Sequence, residues 1–158
     1  MKPTIQRFLL PVALLLLFVG TAAAPQGGFE VRAERPAVDG AVLMVYMFGC
    51  DEPQRATVVG MAEGQVDGVR QSRPLTLQAR SAGVYDVVWE RPAEGEWVLT
   101  FTATYHEHLS SLVVPIDDQG VAQLPEADRY GRRFEPIRRE LTSADISQAL
   151  ERLAVAGR

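Results

Sequence analysis

The chain contains no asparagine, a single cysteine (Cys50) and a single lysine (Lys2). Without asparagine, no position can accept an N-linked glycan. With one cysteine, no intrachain disulfide can form, so a fold in an oxidising compartment must be held by its apolar core. With Lys2 as the only lysine, a form trimmed at the N-terminus has no amine for Schiff-base chemistry. A surplus of positive charge is also missing. The formal net charge is -4 at pH 7, which disfavours a general nucleic-acid binder.

The charge that is present is unevenly spread. Residues 25–124 carry arginine as their only cation and a net charge of -7, whereas residues 125–158 carry +1 and residues 1–24 carry +2. An acidic body and a mixed-charge tail follow. The acidity serves solubility first, although it would also gather cations. Abundant arginine with scarce lysine and asparagine suggests a GC-rich bacterial genome.

Lys2 and Arg7 precede a continuous apolar run from Phe8 to Val19, and Gly20-Thr21-Ala22-Ala23-Ala24 supplies small residues after it. This three-part order is that of a secretory signal peptide, residues 1–24. Pro25 is a poor residue immediately after a cut, so cleavage after Ala22, Ala23 or Ala24 stays open. The run is shorter than the roughly 20 residues of a spanning helix, and Pro11 and Gly20 interrupt it. No cysteine follows it to take a lipid, and no twin-arginine signal precedes it. A periplasmic or secreted location is expected, with no stable membrane span after cleavage.

Residues 25–124 read as strands. Phe29, Val31 and Ala33 alternate with Glu30, Arg32 and Glu34, the period of two of a half-buried strand. Ala41–Phe48 is apolar throughout and predicts a central strand covered on both faces. Arg55–Glu63 is a third strand. Asp67-Gly68 between valines predicts a two-residue hairpin turn. Gly60, Gly64 and Gly68 are read as turn and bulge positions, because the strand–loop–helix context of a phosphate-binding loop is missing. Pro74–Arg80 alternates again. The stretch Val84–Tyr105 holds both tryptophans and reads as two strands around a turn at Arg91–Gly95. In its second half Trp97, Leu99, Phe101, Ala103 and Tyr105 share a core face, while Val98, Thr100, Thr102, Thr104 and His106 share a mostly wet one. Leu109–Ile116 follows, with Pro115 suggesting a sheet edge, and Val121–Leu124 closes the body. About eight strands at spacings of about 8–12 residues predict an all-β, antiparallel, immunoglobulin-like two-sheet sandwich. The Cys…Trp…Cys spacing of true immunoglobulin domains is missing.

The pattern Gly83-Val84-Tyr85, Trp89, Pro92, then Gly95-Glu96-Trp97-Val98-Leu99, followed by a threonine-rich strand, resembles the YtkA-like and FixH-like immunoglobulin-type domains of the bacterial envelope. Thr57–Ser72 also resembles exported bacterial proteins of this size. The likeness covers roughly Val42–Ile116. It rests on a turn and two packing aromatics, so it implies a fold. No functional residue of those families maps onto this chain.

Residues 125–141 are charged and aperiodic and read as a linker, with Tyr130, Phe134 and Ile137 able to drape over the body. Arg132-Arg133 and Arg138-Arg139 would suit anionic lipid or an acidic partner, but the alternating acids favour a solvated linker. Thr142-Ser143-Ala144-Asp145 is a helix start of the capping-box type. Ile146, Ala149, Leu150 and Leu153 then fall on one face of a C-terminal helix, residues 142–158. So short a helix cannot stand alone in water and must dock on its own body or on a partner.

Chemistry-bearing residues are few. His106-Glu107-His108, with Cys50, Met44, Met47 and Met61, is a donor set suited to copper in an exported protein. On a strand, residues i and i+2 would place both imidazoles on one face. Against this, the methionines lie in apolar strands and suit the core, and Cys50 is either a buried thiol or a reactive one. A hydrolase set of His108, Ser110 or Ser111, and Asp117 or Asp118 lacks a nucleophile elbow. Asp51-Glu52, Asp117-Asp118 and Glu94 with Glu96 lie at turns, and Asp117–Gly120 lacks a calcium-loop pattern. Three readings follow. The first is a non-enzymatic exported module, with no cofactor, that binds a protein partner in the envelope. The second is a periplasmic copper-handling protein using His106 and His108. The third is a hydrolase.

Overall fold

The structure, a computed structural model, describes residues 29–130 and 140–156. The signal segment, Arg132, Arg133, Phe134, Ile137, Arg138 and Arg139 lie outside the described residues.

Nine strands are described: β1 Glu30–Glu34, β2 Leu43–Phe48, β3 Thr57–Val66, β4 Val69–Pro74, β5 Thr76–Ser81, β6 Val84–Val88, β7 Glu96–Tyr105, β8 His108–Ile116 and β9 Asp128–Tyr130, followed by a helix, α1, over Ser143–Ala156. They form two antiparallel sheets, β1-β2-β6-β5 and β4-β3-β7-β8-β9. This is the A-B-E-D against C′-C-F-G arrangement of immunoglobulin-like sandwiches, with β9 added beyond the last strand.

Size complementarity between strands builds the core. The inward face of β3 carries Gly60, Ala62 and Gly64, paired with Phe101, Leu99 and Trp97 of β7. Small residues thus lie opposite large ones, as close packing demands. A Cβ on Gly64 would stand 2.5 Å from the Trp97 indole. Gly60 and Gly64 are therefore strand positions under aromatic rings, and only Gly68 serves the expected turn. That turn has Asp67 at φ 49° and Gly68 at φ 76°. From the facing sheet Val31, Leu43, Val45 and Val87 complete the core.

Val84–Tyr105 is not a hairpin. β6 pairs with β2 and β5, whereas β7 pairs with β3 and β8, so the segment crosses from one sheet to the other through Arg91–Gly95. Each half alternates as expected, but alternation identifies the buried face and not the neighbouring strand. The crossing is pinned by Trp89 against Trp97, with ring centroids 5.8 Å apart. Trp97 also donates its indole N–H to the Glu94 carbonyl at 2.9 Å.

Three further expectations are corrected. β2 is central but covered on one face only: Leu43, Val45 and Met47 are buried, Met44 and Tyr46 are half-buried, and Phe48 is exposed. β8 is not an edge strand, because β9 flanks it at Ser111–Val113. Pro115 lies past β9, where the Pro115 carbonyl accepts the Gln123 N–H at 2.9 Å. Finally, Asp128–Tyr130, read as linker, is β9. Its residues are held by side chains from distant segments, which a search for periodicity cannot see: Arg129 reaches Glu30 at 3.7 Å, and Asp128 pairs with Arg152 of α1.

Helix α1 docks on its own body. Thr142 caps it as expected. Its hydroxyl donates to the Asp145 carboxylate at 2.7 Å, and its backbone N–H donates to the same oxygen at 2.9 Å, a capping box with aspartate at its third position. Ile146, Ala149 and Leu150 bury against Val98 of β7 and Val113 of β8, with Tyr130, Leu141 and Leu153 at the margin. The outer face of β7 is consequently wet only near its end. Val98 and Thr100 are buried, Thr102 is half-buried and Thr104 is exposed.

Candidate functional site

The β7–β8 turn was the leading site in the sequence. His106 occupies the turn itself, at φ 52°, and Tyr105 pairs directly with His108 across it. A strand geometry with both imidazoles on one face therefore does not apply. His106, Glu107 and His108 are all exposed. The His106 ring meets Tyr105 edge-on, with centroids 4.4 Å apart.

Cys50 lies just past the end of β2, half-buried. Burial pushes its thiol up from the ordinary value, and the neighbouring Asp51 adds to this. A thiol held neutral in this way is a poor nucleophile and a poor metal ligand. Met47 faces the core, while Met44 and Met61 are half-buried on the outer faces of different sheets. Among the described residues, no three His, Cys, Asp or Glu side chains come together in a way that could hold a metal ion.

The hydrolase set is dispersed. Ser110 is buried, and its hydroxyl accepts the Val31 N–H at 3.0 Å, which ties β1 to β8. Ser111 shares a hydrogen bond with Thr102 at 3.0 Å. Asp117 accepts the backbone N–H groups of Gln119 and Val121 and the side-chain amide of Gln123. It thereby holds its own loop. His108 and Asp117 flank opposite ends of the 9-residue β8, about 30 Å apart at the rise of a strand.

At the Asp117 end, a cleft of about 510 Å³ is lined by Arg91, Glu96, Asp117, Asp118, Leu153 and other residues. Arg91 is committed to structure there. It donates to the carbonyls of Pro92, Ala93 and Gly95, closing the crossing between the sheets. Among the described residues, its Nε is buried without a partner.

Sequence reasoning missed the outer face of the β1-β2-β6-β5 sheet. Met44, Tyr46 and Phe48 of β2 form an apolar row there, beside Glu34, Arg32 and Glu30 of β1 in register. The charges are largely paired. Arg32 bonds Glu30 at 2.9 Å, and its guanidinium stacks 3.5 Å from the Phe48 ring centroid. Tyr46 donates its hydroxyl to Glu34 at 2.8 Å. Arg80 grips the buried Asp86 through two bonds of 2.9 Å. Burial and the Glu34 bond push the Tyr46 phenol above its ordinary value. The signal was present in the sequence: alternate positions of an all-apolar run would line up with the polar face of the first strand, had pairing between the two been assumed.

The chain matches no protein-family model, no curated protein and no solved structure.

Proposed function

We propose that the protein is a non-enzymatic binding module of the bacterial cell envelope, exported by its N-terminal segment and engaged with a protein partner through the β1-β2-β6-β5 sheet. The observation that carries this reading is an asymmetry. One sheet has its outer face closed by the chain's own helix. On the other sheet Phe48, Tyr46 and Met44 stand exposed or half-buried. A non-enzymatic role accords with the candidate serines, Asp117 and Arg91, each of which is spent on a structural hydrogen bond. The resemblance of Gly83–Leu99 to envelope domains, and the three-part pattern of residues 1–24, support the location.

The test combines fractionation with site-specific cross-linking in producing cells. The mature chain should begin after Ala22, Ala23 or Ala24 and appear outside the cytoplasm. A photo-reactive residue at Phe48 or Gln78 should capture a discrete protein adduct, and the same residue at Val155, exposed on α1, should not. A cytoplasmic chain of full length, or adducts from Val155 alone, would overturn the reading.

A further inference from the structure

Between Asp67 and Asp86 the acidic body contains no acid and three arginines, Arg70, Arg73 and Arg80. The fold concentrates them on one flank, because this stretch forms β4 and β5, end strands of the two sheets. Arg70 lies 3.5 Å from Glu63 and also bonds Ser147 of α1. Arg80 is taken by Asp86. Arg73 bonds only the neutral Gln71 at 3.0 Å among the described residues, and lies 5.5 Å from the Trp97 ring centroid. It pairs with the buried Ala62, so it is on the inward face of β4. It therefore borders the seam between the sheets, on the side where β5 ends the opposite sheet.

Four strands form the lateral borders of the sandwich, and three are guarded. β1 is tied to the facing sheet through Ser110 and Arg129. β9, described over Asp128–Tyr130, carries the charged Asp128 and Arg129, both engaged in ion pairs. β4 ends in Pro74 and is pinned through Arg70 to α1. Short length, proline and charge are the usual protections of a sheet edge. β5 lacks them. It runs 6 residues, is exposed at all but Leu77, and contains no proline. Its irregularity falls between Ala79 and Ser81, so Thr76–Ala79 pairs regularly with β6. An open strand of this kind presents unpaired N–H and C=O groups to any extended chain.

We infer that β5 is a docking edge for an extended, acidic segment of a protein partner, which joins the β1-β2-β6-β5 sheet as a further strand and sets a carboxylate against Arg73 across the seam. Backbone hydrogen bonds supply the attachment, and the Arg73 guanidinium, which has no ion pair among the described residues, selects the charge. This rests on the partner-binding reading above and names the partner's chemistry.

The probe is a fluorescent peptide of about eight alternating valine and glutamate residues, long enough for one strand, with a valine–lysine peptide as control. The full chain should bind the glutamate peptide and not the lysine one. Amide exchange should slow at Thr76–Ala79. Arg73→Glu should weaken binding about tenfold, an effect expected of a single reversed interfacial charge. Gln78→Pro, with α1 still protected from exchange, should abolish it. If that variant does not fold, the Arg73→Glu result and the exchange map decide. Equal binding of the lysine peptide, or protection confined to other strands, overturns the proposal. A concentration-dependent dimer protected at β5 also overturns it, by making a second copy the occupant. Partner adducts from Phe48 but none from Gln78 sink the edge alone and leave the partner-binding reading standing. No adduct from either position sinks both.

Discussion

The two outer faces of the sandwich are built from similar strands and end in different states. On the β7–β8 face, Val98 and Val113 are fully buried under α1. On the β2–β6 face, Phe48 is exposed with the Arg32 guanidinium stacked on its ring, and the half-buried Tyr46 is hydrogen-bonded to Glu34. The difference shows that an apolar row on a strand does not determine what covers it. The β7–β8 face has aliphatic residues that offer nothing to solvent and an amphipathic helix within reach of the chain. The β2 row instead has a phenol and a ring that can borrow neighbouring charges, and such groups tolerate partial exposure.

The sharpest break of this comparison is to replace an apolar residue on each face with a polar one. Val113→Asp should cost about 3–5 kcal/mol, because an unpaired carboxylate is left beneath the helix. Phe48→Thr on the open face should cost under about 1 kcal/mol. Urea denaturation of both variants measures this, and equal costs would mean that the faces do not differ.

Next in size, Leu150→Ala should destabilise by about 2–3 kcal/mol, since a fully buried leucine is removed from a small cluster. Amide exchange should accelerate along α1 and leave β2 and β6 unchanged. Acceleration of both regions together would mean that α1 is fused to the main core and is not a cover over one face.

A smaller effect distinguishes the open face by pH. The Tyr46 phenol is raised above its ordinary value by burial and by its bond to Glu34. The folded chain therefore holds a proton that the unfolded chain releases first. Stability is intact below the ordinary tyrosine pKa of about 10 and falls as pH rises past it. The raised Cys50 thiol acts in the same direction from lower pH. Tyr46→Phe should flatten the upper part of this alkaline slope in denaturation series, and an unchanged slope would contradict the assignment.

The smallest expected effect concerns His106 and His108. Anaerobic Cu(I) titration should give an affinity no tighter than that of ordinary exposed imidazoles, and His106→Ala or His108→Ala should shift it little. A tight site lost in either variant would revive the copper reading and make the β7–β8 turn the functional end.

Much of the architecture was legible because strand alternation is a local property. The inward row Trp97, Leu99, Phe101 and Ala103, the Asp67-Gly68 turn and the Thr142 cap each depend on residues near one another in the chain. Other features depend on distant partners. Gly60 and Gly64 read as turn residues until Phe101 and Trp97 are seen lying on them. Asp128–Tyr130 reads as linker until Glu30 and Arg152 are seen holding it. Of the candidate site, only the exposure of the two histidines was readable. The open sheet and its β5 edge were not, since neither exists before the strands are ordered.

By itself the sequence determined that this is an all-β body without an intrachain disulfide, followed by a capped amphipathic helix. Periodicity, turn chemistry and the single cysteine are properties of the chain alone. Only the tertiary structure decided that Val84–Tyr105 crosses between sheets, that α1 covers β7 and β8, and that no described element covers the flank carrying Arg73. Each of these depends on which surfaces meet, and a strand pattern that buries one face is equally satisfied by several neighbours.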